Sequence, residues 1–67
     1  MNEEMVNHFN ETIKNFRNAT LLDIAQGASI EEIKYILKTY EEEELYLECA
    51  GIKQALDFIE QAQKNDC

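Results

Sequence analysis

Gly27-Ala28-Ser29-Ile30-Glu31-Glu32 is the stretch that decides how this chain folds. Glycine adopts the left-handed backbone that stops a helix without a steric penalty. Ser29, with Glu32 three residues later, is a capping box: the hydroxyl and the carboxylate each take up an N–H left free at the start of a helix. Ala28 before the cap and Ile33 after it are placed to form a small hydrophobic staple. One helix ends and another begins within six residues, so the chain turns back on itself.

Upstream, the pattern predicts a helix from Asn2 to about Gln26. Asn2 is a suitable cap, and Glu3 and Glu4 suit the positive end of the helix. Met5, Val6, Phe9, Ile13, Phe16, Thr20 and Ile24 keep to one side of a 3.6-residue helix, while Asn7, Asn10, Glu11, Lys14, Asn15 and Asn18 fall outside that stripe. Leu22 points away from it and is a candidate contact for a further helix or a second subunit.

Downstream, Ile30, Ile33, Ile36, Leu37 and Tyr40 form one apolar stripe, and Leu45, Cys49, Ile52, Leu56 and Ile59 form another. On one straight helix these stripes are offset by roughly a third of a turn. Two readings fit. Either the helix runs on to about Gln63 and its apolar face winds around, or it breaks near Thr39, where Thr39-Tyr40-Glu41-Glu42 resembles a second capping box and puts the glutamates in a favourable first turn. Gly51 is a further weak point or a place for close helix contact. No alternating strand pattern exists, and proline is absent. The expected fold is all-α: an antiparallel helical hairpin with a long second segment, either continuous or broken into a three-helix arrangement.

Length adds a constraint. A first helix of about 25 residues is near 37 Å long, whereas a continuous second helix is about 50 Å. The first would run out near Gly51, leaving Ile52, Leu56, Phe58 and Ile59 uncovered. They must fold back as a third helix or pack on another chain, and the second outcome is a homodimer. A single domain of 67 residues buries only roughly 60% of the surface its unfolded chain exposes, so association is a common remedy for its low stability.

Composition narrows the function. Fourteen acidic residues against six basic give a net charge of −8, which repels nucleic acid and anionic membranes and favours basic partners. The start, Met1-Asn2-Glu3-Glu4, has no basic segment followed by an apolar run, and no apolar run approaches a membrane span, so a cytoplasmic protein is expected. Residue usage fits an AT-rich genome, such as that of a low-GC bacterium or its phage. Two cysteines and one histidine provide neither a disulfide framework nor a zinc set, and no metal or other cofactor is expected. Cys49 reads as a small core residue. His8 falls on the solvent side of the first helix, and no Ser-His-Asp or Cys-His set can be assembled, so the chain reads as non-enzymatic.

Residues 21–33, with Ile24-Ala25-Gln26-Gly27, Ser29 and Glu32-Ile33, loosely resemble the helix-turn-helix portion of LuxR-type regulators. That resemblance implies DNA binding through the following helix. The chain departs from the pattern there: Thr39-Tyr40-Glu41-Glu42-Glu43-Glu44-Leu45 stands where a basic recognition helix belongs, and carboxylates oppose phosphate contact.

What remains is a protein–protein interaction or regulatory role, as adaptor or inhibitor, whose partner is another protein or a second copy. The candidate partner-binding residues are Leu22, Tyr46, Leu47 and Phe58, which exceed what a two-helix hairpin covers, with Glu41, Glu42, Glu43 and Glu44. Tyr35, like Tyr46, falls on the outer face. The alternative is an acidic inhibitor whose carboxylates stand in for the phosphates of a nucleic acid.

Overall fold

The computed structural model describes residues 3–65, with side chains over residues 7–63. Three helices follow one another: α1 (Glu3–Ala25), α2 (Ile30–Glu42) and α3 (Tyr46–Asn65). The fold is all-α, as the sequence predicts, and of its two alternatives the second segment takes the broken one. The expected cap at Asn2 and the side chains of Met5 and Val6 lie outside the described residues.

The α1–α2 turn forms where expected. Gly27 has φ 110, Gly27 N–H donates to Ile24 O at 3.1 Å and Ala28 N–H to Asp23 O at 2.9 Å. This bond pair is the Schellman stop, which satisfies carbonyls at the end of a helix. Ser29 then caps α2, with Glu32 N–H donating to its Oγ at 3.1 Å. Ala28 packs against the cluster that contains Ile33.

The second break corrects the expected position. It lies at residues 43–45, not near Thr39. Thr39 is inside α2, and its hydroxyl donates to Tyr35 O at 3.1 Å, so it serves as a helix-interior residue rather than a cap. The stop is a second Schellman motif: Glu44 N–H donates to Glu41 O and Leu45 N–H to Tyr40 O, each at 3.0 Å. Glu44 occupies the position that glycine holds in the first turn, with φ 62. The glutamates therefore sit at the negative C-terminal end of α2, not in a first turn, and the helix dipole disfavours them there.

The hairpin turns set the chain direction: α2 runs back along α1, and α3 reverses again to run with α1. The edge-on contact of Phe16 with Tyr40, 5.9 Å between ring centroids, links α1 to α2. Cys49 Sγ lies 4.0 Å from Leu37 O, and Lys53 Nζ lies 3.4 Å from Glu41 Oε2, linking α2 to α3. The most extensive contact is between α1 and α3, and α1 and α2 touch least. Gly51 is at the α1–α3 crossing, where a Cβ would meet Ile13 O at 2.5 Å. Ile52 and Leu56, which a two-helix hairpin would leave bare, are covered within the chain at 2% and 7% exposure.

The core is small. Ile33, Ile52 and Leu56 form its centre, with Phe16, Ile24, Ala28, Ile30, Leu37 and Tyr40 packed around them. The body measures 44 × 26 × 18 Å with a radius of gyration of 13.0 Å. A compact domain of this length has a radius near 11 Å, so the bundle is elongated and leaves much of each helix facing solvent.

Candidate functional site

α2 rests on α3 more than on α1, and a shallow cleft opens between α1 and α2. Phe16, Ala19, Thr20 and Asp23 form one wall, Ile33, Ile36 and Tyr40 the other, and Ile52 the floor; its volume is about 170 Å³. The small side chains Ala19 and Thr20 face the isoleucines of α2, and this mismatch in size leaves the space. Ile36, at the mouth, is 39% exposed. Pockets for small-molecule ligands are commonly about 300–1,000 Å³, so this cleft has room for one or two inserted side chains rather than a metabolite.

The candidate partner-binding residues divide between the two ends of the bundle. Glu41 and Glu42 close α2, Glu43 and Glu44 form the turn, and Tyr46 and Leu47 open α3, all at one end. The four glutamates and Tyr46 are exposed and Leu47 is half-buried. Leu22 and Phe58 lie toward the opposite end, near the α1–α2 turn, and are 57% and 62% exposed. These eight residues do not form one continuous patch. Tyr35 is exposed at 72%, on the outer face as expected. Ile36 belonged to the expected apolar stripe and was not among the candidates.

Electrostatics at the acidic end are weakly compensated. Among the described residues one ion pair forms, Lys53 with Glu41, and both side chains are about half exposed. Such pairs contribute little, typically below about 1 kcal/mol. Cys49 is 3% exposed. Burial, reinforced by the nearby Glu41 carboxylate, pushes its thiol above the usual range, so the reactive thiolate is disfavoured.

His8 is exposed, as its helical position implies. Among the described residues, no three His, Cys, Asp or Glu side chains converge on a site for a metal ion. Likewise, no helix among them is long and apolar enough to cross a membrane. No protein-family model, curated protein or solved structure matches the chain.

Proposed function

We propose that this chain is a small non-enzymatic protein–protein interaction module, an adaptor or inhibitor with an acidic surface and apolar anchor points. One observation carries the reading. Among the described residues, five apolar side chains are buried (Ile33, Cys49, Ile52, Ala55 and Leu56), while five large ones stay exposed (Leu22, Tyr35, Ile36, Tyr46 and Phe58). A single exposed leucine is ordinary. A surface that shows five large apolar side chains, when three large ones (Ile33, Ile52 and Leu56) are buried among the described residues, is suited to binding, and tyrosine is enriched at interfaces. The cleft beside Ile36 supplies a pocket for an anchoring side chain from a partner.

The acidic end favours a second reading, mimicry of a nucleic acid. Glu41, Glu42, Glu43 and Glu44 are all exposed, and a basic groove would receive them in place of phosphates. The two readings separate by salt. Immobilised protein is used to capture partners from a lysate of a low-GC bacterium, at low salt and at about 0.5 M, where the screening length falls to about 4 Å. A partner that persists at high salt and is lost from the Ile36→Glu or Phe58→Glu protein supports the interaction module. A basic partner that is released by salt, and lost when the four glutamates become glutamines, supports mimicry. Equal capture by every variant, or capture of nothing, overturns both.

A further inference from the structure

The junction between α2 and α3 closes with Schellman hydrogen bonds, yet its residues are ill-suited to it. Glu44 holds a left-handed backbone at φ 62, a conformation unfavourable for any side chain with a Cβ. Leu45, at the cap position of α3, has no side-chain oxygen to accept a free N–H. Glu41, Glu42, Glu43 and Glu44 crowd the negative end of α2. Glutamate and leucine are strong helix formers, and neither glycine nor proline interrupts residues 30–50. Straightening this junction would continue one helix through it, remove the left-handed residue and satisfy the free N–H groups at the start of α3. What holds the turn closed is the burial of Cys49, Ile52, Ala55 and Leu56 against the rest of the bundle.

A second copy can supply the same burial. We propose that this protein forms a domain-swapped homodimer, in which residues 43–45 become helical and α3 of each copy packs on α1 and α2 of the other. The occupant is settled by the fold itself: the surface that receives the partner's α3 is the one that receives its own α3 in the monomer, including the close crossing at Gly51 with Ile13 and Phe16. The two chains then meet around residues 43–45, since Leu37 faces Cys49 and Glu41 faces Lys53 on either side of that point. The acidic runs of both copies come together there, and their mutual repulsion holds the exchange in check at low salt. This inference rests on the geometry of the turn and not on the adaptor reading, so either can fail alone.

The Glu41–Lys53 pair provides the test. In the monomer it lies within one chain. In a straightened chain the two residues are twelve positions apart on one helix, about 18 Å along its axis, and can pair only between chains. Equal amounts of ordinary and nitrogen-15-labelled protein are unfolded together and refolded at about 1 mM in about 0.5 M salt, where mass action and screening favour association. Size exclusion with light scattering gives the mass. A zero-length carbodiimide cross-link, read by mass spectrometry, reports whether Glu41 and Lys53 of a link carry the same label or different ones. The expected result is a dimer in which mixed-label links appear. Glu44→Gly relieves the turn and weakens the straight helix, by about tenfold per hinge, so the dimer constant falls on the order of a hundredfold. Glu44→Ala keeps the left-handed strain and favours the helix, so its dimer fraction is no lower than that of the parent. A monomer at every concentration in both parent and Glu44→Ala overturns the proposal, as does a dimer whose links are all same-label.

Discussion

Gly51→Ala is a substitution whose sign, not only its size, depends on the packing. In a solvated helix, alanine in place of glycine stabilises by about 0.5–1 kcal/mol. Here the added Cβ would lie 2.5 Å from Ile13 O, 2.8 Å from Phe16 Cβ and 2.9 Å from Arg17 N. Two of these atoms are α1 backbone and the third is fixed directly to it, so no side-chain rotation makes room. Restoring a 3.4 Å contact to the carbonyl requires α1 and α3 to separate by about 0.9 Å. Ala55, fully buried at 0%, and Thr20, at 6%, belong to the packed part of this body and would loosen with it. Overpacking of this kind costs about 1–3 kcal/mol, and the backbone contacts place it toward the upper end. After the gain in helix propensity, the net loss is about 1–2 kcal/mol. For a domain this small each kcal/mol moves the thermal midpoint by about 4–8 °C, so a drop near 10 °C is expected. Circular dichroism during heating, with urea titration to check that the denaturant slope is unchanged, measures it. Gly27→Ala is the comparison: nothing lies within 4 Å of its Cβ, but φ is +110, so its loss comes from the backbone alone. A Gly51→Ala protein that melts above the parent would show that α3 does not cross α1 at this point, and the proposed packing would be wrong.

Four further outcomes follow from the Ser29 cap, the Cys49 thiol and the ion pair. Ser29→Ala removes the acceptor for Glu32 N–H and should cost about 1 kcal/mol, read as a lower thermal midpoint; no change would mean that the cap does not hold the start of α2. In a Cys67→Ser background, Cys49 should react with a thiol probe only as fast as the bundle opens, because it is 3% exposed; immediate reaction would refute its burial. Its folded pKa is raised while an unfolded thiol ionises near about 8.5, so this contribution to stability is full below that pH and is lost as the pH rises through the folded value; urea midpoints measured from pH 7.5 to 10 should fall. Lys53→Ala breaks a pair whose members are 57% and 47% exposed and should change stability by less than about 0.5 kcal/mol; a larger loss would show that the side chain packs rather than pairs.

The two turns show what a sequence can disclose about such a bundle. At Gly27 and Ser29 the residues are chosen for the backbone they must adopt, so the stop and the restart could be read directly and within one residue of the end of α1 at Ala25. The core position of Cys49 could be read from its stripe. At residues 43–45 no residue is chosen in that way. Thr39 offers a cap that the structure does not use, because its hydroxyl bonds back to Tyr35 O, and Glu44 gives no sign of a left-handed backbone. The division of the partner candidates between two ends, and the cleft beside Ile36, depend on how the helices cross, which no local pattern encodes.

The only trace of the second turn in the sequence is the offset between two apolar stripes, and the energies show why that offset prevails over local preference. A left-handed residue with a Cβ costs about 1–2 kcal/mol. Full burial of a side chain such as isoleucine or leucine contributes about 1.5–3 kcal/mol, and Ile52 and Leu56 are both buried, at 2% and 7% exposure. No straight helix presents both stripes to the same α1, so an isolated chain gains more by bending at Glu44 than it loses. That balance belongs to the isolated chain. When the cover for Ile52 and Leu56 comes from another molecule, the burial no longer requires the bend, and the unfavourable backbone at Glu44, the uncapped start of α3 and the crowded carboxylates at the end of α2 all favour the straight form. The turn at Gly27 has no such alternative, because glycine and the Ser29 cap favour it whether or not a second chain is present. Exchange should therefore open the α2–α3 turn and leave the α1–α2 turn intact.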